Sequence, residues 1–413
     1  MYWRKIFITL IFGLFLPLQS LSNEQNLEIL KALMLADEGK NIEAMKIYEK
    51  LFNTTKDGAY IKEAIRLAIN SQDTKKLDEL LKKGKNQLKN DTEFNRMLII
   101  QHISKSEFEP AKKIALELIK KEKTDARNFI ILGGIYIFTD NEKEAIKSFE
   151  KAYDLDGSEE SVMRLASVLL SKTKDDKTAQ KYLENFKTRN GCTINVCETL
   201  TEIYANNKKF DLVASTSKEL FSLSEDENHF KRALGAYIIE GDTKGFEELI
   251  KSNPIDDELA SKGYAELKEF KKAYDLAKSS FERTKEPQMQ ALMAIYEYEN
   301  AREKPDKKTL KNIIENFEAS VSSLNDALYF NYYGYLLIDH DIDIKKGIEL
   351  VQKALEIEPD SVYYIDSLAW GYYKLGKCKA AKDEMAKALK DEEFAKDDEA
   401  IKHKKAIDEC KEK

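Results

Sequence analysis

The amino-acid sequence predicts an all-α protein, a right-handed α-solenoid of about eleven helical pairs with a capping helix at its C-terminal end. Three observations lead to this fold class. Leu, Lys, Glu and Ala dominate, and all four favour helices. Only 16 glycines and 6 prolines are present, so few positions interrupt a helix. Small or apolar residues also recur every 33 or 34 residues between positions 44 and 246, a spacing typical of a repeat made of one helical pair.

The recurring residues form a ladder along the second helix of each predicted pair. We expect small side chains at this position because the two antiparallel helices of a pair cross there. After position 246 the interval varies, and a last step of 34 residues joins Gly347 to Ala381. Unrelated helices have no reason to keep such a register. The ladder comprises Ala44, Leu77, Ala111, Ala145, Ala179, Val213, Phe246, Ala273, Leu310, Gly347 and Ala381.

Residues 1–22 have the pattern of a Sec-type signal peptide. Arg4 and Lys5 precede an apolar run over residues 6–18, and small residues stand at the −3 and −1 positions before Asn23. The alternative is an uncleaved anchor, but this run is short for a bilayer span. No cysteine follows the apolar run as a site for lipid attachment. The sequence therefore predicts a periplasmic protein that is soluble after export.

The best-defined repeat lies between residues 126 and 159. It matches the spacing W-x2-L-G-x2-Y followed by A-x3-F, with phenylalanine in the tryptophan position. We expect the aromatic residues of this pattern to fill the space between one pair and the next. Only Gly157 departs, since the pattern has proline there. The segment resembles the tetratricopeptide repeat family, which implies paired antiparallel helices, through Phe129, Leu132, Gly133, Tyr136, Ala145, Phe149 and Ala152.

The rest of the chain is predicted to divide into segments that differ in how regular their helical repeats are. Residues 23–253 are predicted to form an N-terminal array, in which residues 189–197 are expected to interrupt the helices as a loop. Pro254 begins an irregular helical region over residues 254–326. Residues 327–395 form the C-terminal repeats, which are rich in aromatic residues, and residues 396–413 form a charged capping helix and tail. A polar terminal helix keeps the open end of a repeat array soluble.

The four cysteines predict disulfides in an exported protein. Three connectivities are open, and chain position favours local pairing of Cys192 with Cys197 and of Cys378 with Cys410. Cys378 begins the second helix of the last pair, and a terminal helix carrying Cys410 can fold back onto it. A zinc site is the alternative, but the spacing is not C-x2-C and the histidines are scattered. We expect no metal and no cofactor.

Several function classes lack support in the sequence. The net charge of −7 comes without a basic stripe, so nucleic acid is not the expected partner. A glycine-rich phosphate loop, a G-x-S-x-G turn and an H-E-x-x-H helix are missing. Neighbouring carboxylates such as Asp256 and Asp257 suit solvated helix faces. We therefore expect a protein without enzymatic activity.

Protein partners are expected on the concave surface lined by the first helices, where positions 2, 5, 9 and 12 of each repeat point inward. Aromatic side chains with polar groups provide a large contact area at small entropic cost. The alternative is that these rings pack between helices. The Lys, Arg and Asn set needed to hold a free carboxyl terminus is missing. The predicted partner-binding residues are Asn331, Tyr335, Tyr363, Asp366, Trp370 and Tyr373, and Ile338 is a further candidate at the same spacing.

Residues 30–73, 332–361 and 363–389 resemble a family of bacterial envelope tetratricopeptide proteins. The family is similar to an outer-membrane-associated adaptor that binds a carboxy-terminal processing protease and presents cell-wall hydrolases to it. The resemblance implies periplasmic or envelope protein partners and a peripheral association with the outer membrane. That adaptor resembles a lipoprotein at its N-terminus, whereas this chain lacks the required cysteine.

Two functional hypotheses follow. In the first, the chain is a periplasmic scaffold that recruits or activates an envelope protease or a cell-wall enzyme by holding two proteins close together. In the second, it is a fixed structural component of a large envelope assembly, such as a flagellar or outer-membrane machine. An enzyme acting on the cell wall is a third class, and no motif in the sequence supports it.

Overall fold

The computed structural model describes residues 23–301 and 304–411, and within these ranges it contains 23 α-helices and no strand. The predicted signal peptide lies outside the described residues. Among the described residues no helix combines the length and apolar character needed to cross a bilayer. The all-α prediction is confirmed. The chain divides into two compact units, with the boundary between Ile203 and Tyr204.

The first unit consists of helical pairs joined by short turns. Each helix contacts mainly the helices next to it in sequence, so the pairs stack in chain order. A π-helical turn, Leu169–Thr173, extends α9. The helices are α1 Asn23–Asp37, α2 Asn41–Thr55, α3 Gly58–Asn70, α4 Thr74–Gly84, α5 Thr92–Ser104, α6 Phe108–Lys121, α7 Ala126–Phe138, α8 Glu142–Asp156, α9 Glu159–Val168, α10 Asp176–Asn190 and α11 Ile194–Asn206, the last of which crosses the boundary.

The second unit continues the alternation of first and second helices and ends with one unpaired helix. Two 3₁₀ turns, Val321–Ser323 and Phe394–Lys396, precede α19 and α23. The helices are α12 Phe210–Ser224, α13 Glu227–Glu240, α14 Thr243–Ser252, α15 Asp257–Glu266, α16 Phe270–Thr284, α17 Pro287–Asn300, α18 Lys307–Ser320, α19 Ala327–Asp339, α20 Ile344–Ile357, α21 Val362–Lys374, α22 Cys378–Ala388 and α23 Asp398–Asp408.

The predicted ladder is confirmed as a structural register. Each of its eleven residues is the fourth residue of an even-numbered helix, from Ala44 in α2 to Ala381 in α22. All are buried apart from Leu310, which is partly buried. The buried residues form several local clusters in place of one central core, as expected when each pair buries its apolar surface against its neighbours.

Aspartates start more than half of these helices. An aspartate side chain just before the first turn accepts a hydrogen bond from a backbone N–H that the helix itself leaves unpaired. Asp91, for example, accepts from the Phe94 N–H at 2.8 Å. Part of the acidic composition therefore has a structural role. The capping aspartates are Asp57, Asp73, Asp91, Asp125, Asp175, Asp226, Asp242, Asp256, Asp306, Asp326, Asp343 and Asp397.

Gly157 replaces the proline of the repeat pattern because of the way in which α8 ends. Gly157 has a φ of +58° and its N–H donates to the Tyr153 carbonyl at 2.8 Å. Proline has a φ near −65° and no N–H, so it cannot make this turn. In the same pair the Phe149 ring lies over Gly133, where an added Cβ would come within 2.6 Å of it. Phe149 thus fills space within its own pair.

The expected loop over residues 189–197 is wrong in extent. Helix α10 continues to Asn190 and α11 begins at Ile194, so only residues 191–193 lie outside helices. The Thr193 hydroxyl accepts from the Val196 N–H at 3.4 Å and starts α11. Glycine and two cysteines suggested a longer loop, but one of these cysteines is buried in the first helical turn.

Helices α19 and α20 approach each other backbone to backbone at two glycines. A Cβ on Gly347 would lie 2.6 Å from the Gly334 carbonyl oxygen, and a Cβ on Gly334 would lie 2.7 Å from that of Gly347. Backbone atoms cannot rotate away as a side chain can. Glycine at both positions therefore sets the distance between these helices, which carry part of the candidate site described below.

We predict that Gly347→Ala lowers the free energy of unfolding by about 1–3 kcal/mol, because the added methyl group forces α19 and α20 apart. Gly235→Ala is the matched control, since Gly235 is helical and has nothing within 4 Å of its Cβ position. The control should be neutral or stabilising by up to about 1 kcal/mol. Thermal and urea denaturation measure both, and equal stability of the two variants contradicts the packing argument.

Candidate functional site

The candidate site lies where helices α19, α21 and α23 meet, which we call the terminal face. Asp326 starts α19 by accepting from the Leu328 N–H at 2.8 Å. Asp397 starts α23 in the same way, accepting from the Glu399 N–H at 2.8 Å. Helix α23 packs against both helices of the last pair. It therefore covers the end of the repeat array, where a further pair would otherwise pack.

One side of α23 faces the protein. Ala400, His403 and Ile407 are buried, and Cys410 continues the same spacing of three and four residues. Cys410 is joined to Cys378, the first residue of α22, by a disulfide. The pairing is the one that chain position favours. The terminal helix is thus held by an apolar stripe and by a covalent link.

His403 is the centre of the polar contacts on the terminal face. Its Nδ1 lies 2.8 Å from Asp366 Oδ2, and its Nε2 lies 3.4 Å from the Tyr335 hydroxyl. Its ring stacks on the Trp370 indole, with centroids 4.1 Å apart and planes 13° apart. One fully buried histidine therefore joins three of the six predicted binding residues.

Trp370 is held in place from several directions. Its Nε1 donates to Asp339 Oδ1 at 3.0 Å, and the Tyr373 ring stacks on it with centroids 4.8 Å apart. The Lys374 Nζ lies 5.5 Å from the centre of the indole. Only 7% of Trp370 is exposed. Its role in the structure is to support the terminal face from within.

The Tyr335 hydroxyl donates a hydrogen bond to the Glu399 carboxylate on α23. Burial, and then the negative charge of Glu399, raise the pKa of this hydroxyl far above its usual range. Tyr335 therefore stays protonated and keeps donating at any physiological pH. The contact ties α23 to a helix two repeats earlier in the chain.

Four of the predicted binding residues line one cavity of 160 Å³ on the terminal face. Tyr363 forms part of its edge and is 61% exposed, and its ring meets that of Phe394 edge-on with centroids 5.3 Å apart. The lining residues are Asn331, Tyr332, Tyr335, Tyr363, Asp366, Ser367, Phe394, Asp397 and Glu399.

The two remaining predicted binding residues lie outside the lining of this cavity. Trp370 and Tyr373 are not among the lining residues, although Trp370 contacts His403. Including Ile338 was wrong, because Ile338 is fully buried in the core beside α21. Sequence reasoning missed His403 and Glu399. The spacing of Ala400, His403, Ile407 and Cys410 is the signal that could have identified the buried side of α23.

The terminal face lies within a segment of the chain that matches a known protein family. The family described as tetratricopeptide repeat matches residues 224–403, which is less than half of the chain and includes the lining residues. This segment is therefore similar to tetratricopeptide repeats. No curated protein sequence matches the chain.

Several solved structures share a distant likeness with this chain. A chain in the structure of Naa15/Naa10 bound to HypK-THB is 15% identical with a TM-score of 0.35, and the likeness covers 92% of this chain and 60% of that one. The Pseudomonas aeruginosa protein pilF is 15% identical with a TM-score of 0.39, covering 55% and 97%. A tetratricopeptide repeat protein from Parabacteroides merdae is 12% identical with a TM-score of 0.38, covering 59% and 98%.

We predict that His403→Ala loosens the terminal helix, because the buried Asp366 carboxylate loses its partner and Trp370 loses a stacked ring. Leaving a buried carboxylate without its hydrogen-bond donor costs about 3 kcal/mol or more. The amides of α23 should therefore exchange with solvent roughly 100-fold faster or more, measured by native-state hydrogen exchange. Lys402→Ala, a substitution of the exposed neighbouring residue, should leave the exchange unchanged. Equal exchange in both variants contradicts the role of His403.

We predict that replacing Cys378 and Cys410 by alanine lowers stability by roughly 3–4 kcal/mol, because the disulfide closes a loop with a sequence separation of 32. The loss should appear first as faster hydrogen exchange in α23. The control replaces Cys192 and Cys197, which are also joined but lie five residues apart. That variant should leave the exchange of α23 unchanged, whereas an equal effect of both variants contradicts a local role of the Cys378–Cys410 bond.

Proposed function

We propose that this protein is a non-enzymatic scaffold that binds protein partners on its terminal face. The observation that carries the proposal is the convergence of Asn331, Tyr335, Tyr363 and Asp366 on one cavity. These residues come from two first helices and were selected by the inward spacing of the repeat. Aromatic rings and hydrogen-bonding groups on a rigid, disulfide-held surface suit the capture of a polypeptide at small entropic cost.

The proposed location is the periplasm. The charged and apolar pattern of residues 1–22 supports export. The two disulfides also support an oxidising compartment, because cytosolic thiols are normally kept reduced. Peripheral contact with the outer membrane belongs to the same proposal, and the resemblance to the envelope adaptor supports it.

The proposed role is to recruit or activate an envelope protease or a cell-wall enzyme. A scaffold accelerates such an encounter by raising the effective concentration of one bound protein near another. Only the relative positions of the two bound proteins matter in this mechanism. The scaffold itself therefore needs no catalytic group.

The test is variant-dependent recovery of a partner. We expect cross-linking in intact cells, followed by purification of the tagged full chain from the envelope fraction, to recover a specific protein. Tyr363→Ala should lower its recovery roughly tenfold or more, as expected for an aromatic residue at the centre of an interface. The ring is 61% exposed, so its removal should cost little stability.

Ile357→Ala is the control for this experiment. Ile357 is an exposed apolar residue at the end of α20, is 43% exposed and does not line the cavity. Its substitution should leave recovery unchanged. Equal recovery by the wild type and Tyr363→Ala excludes the terminal face as the binding surface. A stable complex of fixed stoichiometry that survives both substitutions favours the structural component of an envelope assembly.

A further inference from the structure

Two residues that line the cavity on the terminal face, Asn331 and Asp366, each have a buried oxygen atom that accepts no hydrogen bond. Asp366 is 5% exposed, and only its Oδ2 has a partner, so Oδ1 is unpaired. The Asn331 Oδ1 is also buried and unpaired. Most buried polar groups in proteins are hydrogen-bonded, and leaving an acceptor without a donor is costly. Each oxygen can therefore accept a hydrogen bond from a donor on a bound molecule.

The charges around the cavity favour a positively charged donor. Asp366, Asp397 and Glu399 line it, and none of the described lining residues is a lysine or an arginine. Some of this charge already has partners, since Asp397 caps α23, Glu399 accepts from Tyr335 and His403 lies against Asp366 Oδ2. A cation therefore gains the most electrostatic stabilisation beside Asp366 Oδ1, which has no hydrogen-bond partner.

The walls of the cavity are aromatic. Tyr335, Tyr363 and Phe394 line it together with Asn331 and Asp366. The faces of aromatic rings attract cations, and their apolar surface also accepts a hydrocarbon chain. The volume of 160 Å³ corresponds to about five water molecules at about 30 Å³ each. It therefore holds an ammonium group together with part of an alkyl chain.

We infer that this cavity binds the side-chain ammonium group of a lysine in an extended segment of a partner protein. The inference rests on the proposed function and adds the chemistry of recognition. An ammonium group has three donors, enough for Asp366 Oδ1 and Asn331 Oδ1 with one to spare. A lysine side chain carries this group on a flexible apolar stem, which matches an acidic centre surrounded by rings.

Two other cations match the cavity less well. Arginine pairs best with a carboxylate that offers both oxygens to its planar fork, but Asp366 Oδ2 is engaged by His403. A metal ion needs several ligand atoms close together. Among the described residues, the carboxylates of Asp366, Asp397 and Glu399 do not form a group whose oxygens all lie within 4.8 Å of one another.

The test uses the full chain and the peptide acetyl-Gly-Gly-Lys-Gly-Gly-amide, titrated by NMR. A second peptide replaces lysine by norleucine, which keeps the four-carbon stem and lacks the ammonium group. A third, pentaglycine amide with a free N-terminus, presents the amine at a chain end. We expect the lysine peptide to bind at least tenfold more tightly than either. Equal binding of lysine and norleucine overturns the inference, and so does tighter binding of the free N-terminus.

Three substitutions test whether the lysine peptide binds in this cavity. Asp366→Asn should weaken binding of the lysine peptide at least tenfold, and Asn331→Asp should strengthen it by adding a second carboxylate at the unpaired position. Asp383→Asn is the control, because it removes one exposed carboxylate on α22 outside the cavity. If Asp366→Asn fails to fold, the Asn331→Asp variant still tests the site. An equal response to Asp383→Asn, or no response to Asn331→Asp, overturns the assignment and leaves only a hydrated cavity.

The two proposals fail separately. Loss of partner recovery in Tyr363→Ala together with no preference for the lysine peptide refutes the ammonium site and leaves the scaffold intact. Lysine-peptide binding that depends on Asp366 together with partner recovery that ignores Tyr363 refutes the proposed interface on the terminal face and leaves the ammonium site.

Discussion

The structure depends on the inability of a helical pair to bury its own apolar surface. Inside the array the neighbouring pair supplies the missing contacts, as where Ile99, Ala111 and Leu132 share one cluster across successive pairs. Among the described residues, no further pair follows α21 and α22. Helix α23 takes that place and buries Ala400 and Ile407 against it. The position of the candidate site follows from this need for a cap.

The cap contains a histidine where an apolar side chain would suffice. A buried imidazole needs hydrogen-bond partners, and Asp366 and Tyr335 supply them. A carboxylate brought to this depth has two oxygens, and the histidine uses only one. The second oxygen is also buried and has no hydrogen-bond partner. Closing the end of the array thus creates the polar chemistry of the terminal face.

Charged side chains elsewhere on the surface form exposed pairs of opposite charge. Exposed pairs such as Lys387 with Glu384 and Lys404 with Asp408 lie in water, so each contributes little to stability. In each of these pairs, the negative charge of an acidic side chain is offset by a neighbouring lysine. The described residues that line the cavity include three acids and no lysine or arginine, and the burial of Asp366 keeps water from screening its charge. This local imbalance distinguishes the cavity from the acidic surface of the chain as a whole.

The sequence by itself determined the helical pairs, their number and the positions where they touch. These features depend on contacts between residues about 34 positions apart or closer, and such contacts leave a period that can be read directly. Tertiary structure alone decided which predicted residues share a site. Tyr335 and His403 are 68 residues apart, and their meeting depends on where α23 lies after the array has folded. No period records that distance, because a cap occurs once in the chain.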